Sequence, residues 1–394
     1  MNAAYQTTRL PNGVLIATAT MPYLESVCCG VWGMVGSRFE SESENGMAHF
    51  LEHLLFKGTP TRDPYAISRE IEGLGATIDA FTAEDHTCFS TRGPSEAFGP
   101  MIDVLLDIYL NPTFDPAEIE RERVVILEEI AMYRDNPSQH VEDLLGAAAW
   151  PQHPLGLPIT GTEESVKNFR RGDLFAFHQK HYCGGSTLIT VAGKITHEEV
   201  LDEVADRVAG LEEGEAQACA GVEEWMASSG PRRCEEEREL EQAHVCIGFH
   251  TESRHHPQRY AMKVLNVLLG ENMSSRLFQV LREEHGLCYS VFSDVMSLED
   301  TGILSVYAGL DVENLPKALE LSEKVLRELS ALCPSQEEIQ QAMNYTIGQS
   351  RIALESSYHQ MAWLGESLQA YQRVVEPEET FAALRSVSVE DVRE

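Results

Sequence analysis

Arg69-Glu70-Ile71-Glu72-Gly73-Leu74 returns 213 residues later as Arg282-Glu283-Glu284-His285-Gly286-Leu287. The same offset lays Ala48-His49-Phe50-Leu51-Glu52-His53-Leu54-Leu55 over Ala261-Met262-Lys263-Val264-Leu265-Asn266-Val267-Leu268. Self-similarity at this spacing reads as a copied domain, and the order of elements around both stretches agrees. Before residue 211, strand signals at 14–20 and 27–35 precede helical periodicity at 46–56 and 65–74. A strand pair at 76–81 and 87–91, several helices over 96–182 and a strand at 187–192 follow. After residue 238 the order restarts with a strand at 243–249, helices near 259–269 and 274–284, and strands at 289–296 and 303–307. The expected fold class is α+β, with two homologous α/β-sandwich-like domains, each a mostly antiparallel sheet covered by helices on one face. The expected boundaries are 1–210, a Glu-, Gly-, Ala- and Ser-rich linker at 211–238, and 239–394. Ser388-Val389-Glu390-Asp391 reads as a capping box opening a helix, so the second copy is expected to be shortened at its C-terminus by about 20 to 30 residues, or to lack a strand.

Composition narrows the function. At 394 residues the chain exceeds what one core organises, and 43% apolar with 24% charged residues is ordinary for a chain folded throughout. Lys and Arg number 30 against 63 Asp and Glu, a net charge of -33, which would repel polyphosphates and excludes nucleic acid. The sequence has no apolar run of about 18 residues and no signal-peptide pattern at its start, so no membrane partner and a cytoplasmic location are expected. Nine cysteines without a Cys-x-x-Cys pair argue against a disulfide framework and a zinc-thiolate site. His244, His250, His255 and His256 lack a spaced acidic partner and read as ordinary surface or core histidines.

The two copies differ where chemistry would sit. His49, Glu52 and His53 of the first become Met262, Leu265 and Asn266 of the second, so packing alone does not require the three polar groups. On a helix His49 and His53 share a face, the spacing by which two imidazoles grip zinc at about 2.0 to 2.1 Å. Glu52 lies beside them, placed to take a proton from a metal-activated water. A third ligand is sought in Glu122-Arg123-Val124-Val125-Ile126-Leu127-Glu128-Glu129-Ile130. Glu122 and Glu129 fall two turns apart on one face, with Val125 and Ile126 beginning the buried side. Glu129 is the expected ligand and Glu122 a carboxylate that orients the site. Glu128 is the rival, turned about 100° away.

The motif His49-x-x-Glu52-His53, followed by Glu129 76 residues after His53, resembles that of the inverzincin or pitrilysin metallopeptidases. The chain is most similar to their short bacterial members, relatives of the mitochondrial processing peptidase, from Leu10-Pro11-Asn12-Gly13-Val14 into the second half. The resemblance implies one zinc ion per chain held by His49, His53 and Glu129, with Glu52 as general base and Glu122 as a second catalytic carboxylate. It implies that Arg282 and Tyr289 contact the substrate, and that the strand carrying Ala80, Phe81 and Thr82 accepts an extended peptide by strand addition. It further implies a zinc endopeptidase cleaving extended or unfolded peptides in a closed chamber, and a homodimer in which the metal domain of one chain faces the Arg and Tyr domain of the other. Two alternatives stand beside it: a non-catalytic assembly subunit of the same fold, and the catalytic half of a heterodimer with an inactive paralogue. The resemblance weakens at Gln139, where a second acid would accompany Asp143 in reading an arginine. It weakens again at Gly270-Glu271-Asn272-Met273, which stands in place of the glycine-rich loop of the noncatalytic processing subunit.

Overall fold

The computed structural model describes residues 3–219, 221–222 and 232–393, so the expected linker at 211–238 lies partly outside the described residues. The first sheet contains β1 (Ala4–Arg9), β2 (Leu15–Thr20), β3 (Ser26–Gly33), β4 (Thr77–Thr82), β5 (Thr87–Pro94) and β6 (Thr187–Gly193). Its order is β1-β2-β6-β3-β5-β4, antiparallel except where β2 runs parallel to β6. The short apolar runs of β2, β3 and β6 are the central strands, buried almost throughout. β1 has no counterpart in the sequence reading because its alternation is polar and its surface largely exposed. Helices α1 (Met47–Leu55), α2 (Pro64–Gly73), α3 (Phe98–Leu110), α4 (Pro116–Asp135), α5 (Pro137–Ala149), α6 (Glu163–Asn168), α7 (Arg171–His181) and α8 (His197–Val208) complete this stretch.

The second stretch contributes β7 (Ala243–Thr251), β8 (Cys288–Ser297) and β9 (Gly302–Leu310), an antiparallel sheet of order β7-β9-β8. Its helices are α9 (Arg259–Asn266), α10 (Leu315–Leu332), α11 (Gln336–Ala353), α12 (Ser357–Tyr371), α13 (Pro377–Arg385) and α14 (Val389–Arg393). The helical signals near 269 and 278 take the wider π form, over Val267–Glu271 and Phe278–Glu284. Shifted by 213 residues, β3, β4 and β5 overlap β7, β8 and β9, so the second sheet repeats the β3-β5-β4 portion of the first. By that shift the places of β1 and β2 are 217–222 and 228–233, where the described residues 217–219, 221–222 and 232–233 form no strand.

The chain forms two compact units that do not follow chain order. One contains residues 1–132, 153–220 and 353–375, the other 133–152, 221–352 and 376–394. The expected division into 1–210 and 239–394 is thus interrupted twice, by α5 and α12. Shifted by 213 residues, α5 falls at 350–362 and overlaps α12, and each of these helices packs in the unit built mainly from the other repeat. α5 lies on β7, where Leu145 meets Gly248. α12 covers the face of the first sheet formed by Ala17, Ala19, Cys28, Trp32 and Leu188, adding Met361, Leu364 and Leu368. Gly365 permits that approach, because a Cβ there would run into the Trp32 indole. The first sheet is therefore covered on both faces, where one was expected. Its opposite face packs on α1 and α3 around Phe50, Leu51, Phe89 and Leu105.

Candidate metal centre

Helix α1 begins at Gly46, whose φ of 90° is a left-handed value that other residues resist. The carboxylate of buried Glu40 accepts the amides of Gly46 at 2.8 Å and Ala48 at 2.7 Å, satisfying N–H groups that the first turn leaves without partners. Burial pushes the Glu40 pKa up to about 8 against the pull of those bonds. Met47, Ala48, Phe50, Leu51, Leu54 and Leu55 then enter the core. His49, Glu52 and His53 occupy the remaining face.

On α4 the buried side runs through Ile119, Glu122 and Ile126. Val125, expected at the start of that side, is 48% exposed. The three-four spacing favours Glu122 and Ile126 and turns Val125 outward. Glu129 is half-buried, whereas Glu128 is exposed.

The two helices bring three donors together. Glu129 Oε2 lies 3.7 Å from His49 Nε2 and 3.4 Å from His53 Nε2, and the imidazole centroids are 4.8 Å apart. In a tetrahedral site with metal–donor distances of about 2.0 to 2.1 Å, neighbouring donors are about 3.3 to 3.4 Å apart, so these atoms are near metal-binding separation. Among the described residues this is the one group of His, Cys, Asp and Glu whose donors converge in this way. Two imidazoles and one carboxylate suit zinc and leave a fourth position for water or substrate.

The partners of His53 settle which nitrogen faces the site. Its Nδ1 lies 3.2 Å from Glu122 Oε2, whose other oxygen lies 2.9 Å from Lys57 Nζ. When Nδ1 carries the only ring proton, the Nε2 lone pair is available to an ion held between it and Glu129. His49 Nδ1 is buried without such a partner.

The electrostatics favour a cation. Burial and the neighbouring His53 lower the His49 pKa to about 4, keeping that ring neutral. Burial also disfavours charge on His53, but its bonds to Glu122 and Glu129 raise its pKa to about 9. The bond from His53 lowers the pKa of Glu129. Glu122 is lowered too, because His53 and Lys57 outweigh its burial. Burial raises Glu52 despite the bond that Thr82 Oγ1 donates to it at 2.5 Å.

Thr82, Phe81 and Ala80 lie on β4, an edge strand paired only with β5. Ala80 packs against the core below α1, and Phe81 contacts Trp32 and His86 edge-on. Arg282 and Tyr289 belong to the other unit and meet each other there. The guanidinium carbon lies 5.1 Å from the Tyr289 ring centre, and Tyr289 is 78% exposed. Gln139 and Asp143 are on α5 in that same unit. The acid beside Asp143 is Glu142, whose pKa rises through burial and the nearby Asp143 and Asp294. His244, His250, His255 and His256 do not join a metal-ligating group. Sequence reasoning missed Lys57, four residues after His53, and the bond from Thr82 to Glu52. The first had the same i, i+4 signal as the histidine pair, while the second depends on tertiary placement of β4.

Two family models match the chain, Insulinase (Peptidase family M16) over residues 15–163 and Peptidase M16 inactive domain over residues 168–345. The uncharacterized zinc protease YmxG of Bacillus subtilis is 36% identical over 90% of this chain and 86% of its own length. The chain belongs to the M16 peptidase family. An uncharacterized zinc protease of Rickettsia bellii is 32% identical over 100% of this chain and 94% of its own. The M16 fold is also found in a crystal structure described as the peptidase M16 inactive domain from Pseudomonas fluorescens, with a TM-score of 0.91 at 21% identity, covering 99% of this chain and 93% of that one. A protease from Helicobacter pylori superposes with a TM-score of 0.89 at 20% identity, covering 100% of this chain and 95% of its own. The five candidate residues of α1 and α4 fall within the first M16 match, and Arg282 and Tyr289 within the second. No helix among the described residues is long and apolar enough to cross a membrane.

Proposed function

We propose that this M16 member is a zinc-dependent endopeptidase acting on extended or unfolded peptides. The observation that carries this reading is the convergence of His49 Nε2, His53 Nε2 and Glu129 Oε2 beside Glu52. The zinc protease names of its relatives agree with it. Zinc held by these three donors would supply the Lewis acidity that acidifies water and polarises a scissile carbonyl. Glu52 takes the proton from the attacking water and returns it to the leaving amine, a task suited to a carboxylate whose pKa is raised by burial. Thr82 holds one oxygen of that carboxylate in place. The free edge of β4 at Ala80, Phe81 and Thr82 binds the peptide main chain as an added strand, which gives affinity without reading sequence. Arg282 and Tyr289 donate hydrogen bonds to the peptide carbonyls. Two copies forming composite sites in a closed chamber are the proposed assembly, and a mass measurement in solution distinguishes that dimer from a monomer awaiting another chain.

Replacing Glu52 by Gln tests the chemistry. The variant should retain one zinc per chain while cleavage of a fluorogenic peptide library falls about 10² to 10⁴-fold. Undiminished turnover would refute the proposed mechanism, and wild-type protein that binds zinc without cleaving any peptide would favour an assembly subunit.

A further inference from the structure

The geometry points to Lys57 as a positioning residue that tunes metal affinity through Glu122 and His53 without touching the ion or substrate. This inference rests on the zinc reading above. The chain leaves α1 at Leu55, but Phe56 keeps near-helical angles and the Lys57 amide bonds to the Leu54 carbonyl at 3.0 Å. That extra turn sets Lys57 on the His53 face before Gly58, at φ 121°, redirects the backbone.

From there the side chain reaches the one oxygen of Glu122 that His53 does not use. Lys57 Nζ is 2.9 Å from Oε1, and His53 Nδ1 is 3.2 Å from Oε2. Glu122 is only 5% exposed, so water has little access to replace the ammonium. This differs from an exposed ion pair, which contributes little. With both oxygens engaged, the carboxylate has a single orientation, and that orientation holds the His53 proton on Nδ1 while Nε2 faces Glu129. Without Lys57 the carboxylate can rotate, and the imidazole loses its fixed bearing. By charge alone the ammonium works against a cation, so the expected loss of affinity on removing it comes from the lost orientation of Glu122 and His53.

The test is a double-mutant cycle read by zinc affinity, using competition with a chromophoric chelator on the full chain. Loss of an orienting partner of a ligating histidine typically costs 10- to 100-fold in metal affinity. Lys57→Met should therefore raise the zinc Kd about tenfold or more, and Lys57→Arg should restore most of it. In a Glu122→Gln background, Lys57→Met should add less than about twofold, because the route of its influence has been removed. Circular dichroism of the zinc-free proteins checks folding, with Lys57→Gln as a second neutral variant if the Met variant fails to fold. A Kd within twofold of wild type for a folded neutral variant would overturn the inference, as would an undiminished tenfold loss in the Glu122→Gln background. Wild-type protein that fails to bind zinc would instead overturn the proposed function, a separate outcome.

Discussion

Helices α1 and α9 occupy corresponding places in the two repeats, yet they dispose of their polar groups in opposite ways. In the second repeat Met262 and Leu265 pack against the core. Asn266, at the place of His53, is buried and satisfied internally: its amide donates to Glu271 Oε2 at 3.0 Å, and its carbonyl accepts the Ser293 hydroxyl at 2.7 Å. In the first repeat the donor atoms of His49, His53 and Glu129 come together instead, within 4.8 Å of one another. A buried polar group that closes its bonds on its neighbours supports a fold. A cluster of potential ligand atoms around a common point is suited to holding a cation.

The largest break in this contrast comes from carrying one residue across it. His53→Asn should abolish stoichiometric zinc binding, raising Kd by well over the roughly 100-fold limit seen for second-layer changes. Metal analysis after gel filtration reads this directly, and a variant retaining one equivalent of zinc would show that α1 does not hold the ion.

The pH dependence sharpens the same point. With His53 raised to about 9, zinc must displace its proton at neutral pH, so apparent affinity should rise about tenfold per pH unit up to about pH 9 and then flatten. His49, lowered to about 4, adds no dependence in that range. Zinc-free stability should run in the opposite sense. The His53 pKa is raised on folding, so its stabilisation is complete below the ordinary value of 6.5 and is lost as pH rises through about 9. Chelator titrations and thermal melts across this window check both slopes.

Thr82→Val gives a smaller effect. Removing the hydroxyl should lower kcat by about tenfold and move the acidic limb of the pH–rate profile upward, because the Thr82 bond holds the Glu52 pKa down. An unchanged limb would show that Glu52 is not the group titrating there.

What could be read in advance follows from the range of the signal. The spacing of four between His49 and His53 is local to one helix, and the repeat is visible wherever side chains serve the core, as at Leu74 and Leu287. The exchange of α5 and α12 was not legible, since an apolar helix face specifies that a sheet will cover it but not which sheet. β1 escaped because a polar edge strand lacks the alternation that marks half-buried strands. Val125 misled because seven-residue spacing fixes only the direction of a face, and its buried width was settled by packing around Ile119, Glu122 and Ile126.

The reverse graft should have the mildest consequence. Asn266→His places an imidazole where the second repeat has an amide, but a neutral ring cannot reproduce the donor to Glu271 and the acceptor for Ser293 with the same reach. Leaving one of those partners unbonded should cost about 1 to 3 kcal/mol, seen as a lower Tm. It should not create a second metal site. By the shift of 213, Ser335 and Ala342 stand in the places of Glu122 and Glu129, so neither carboxylate is supplied. Two zinc ions per chain in this variant would mean that one added histidine suffices for binding. Loss of stability at an unchanged stoichiometry of one would show instead that the metal site of the first repeat depends on the joint contribution of α1 and α4.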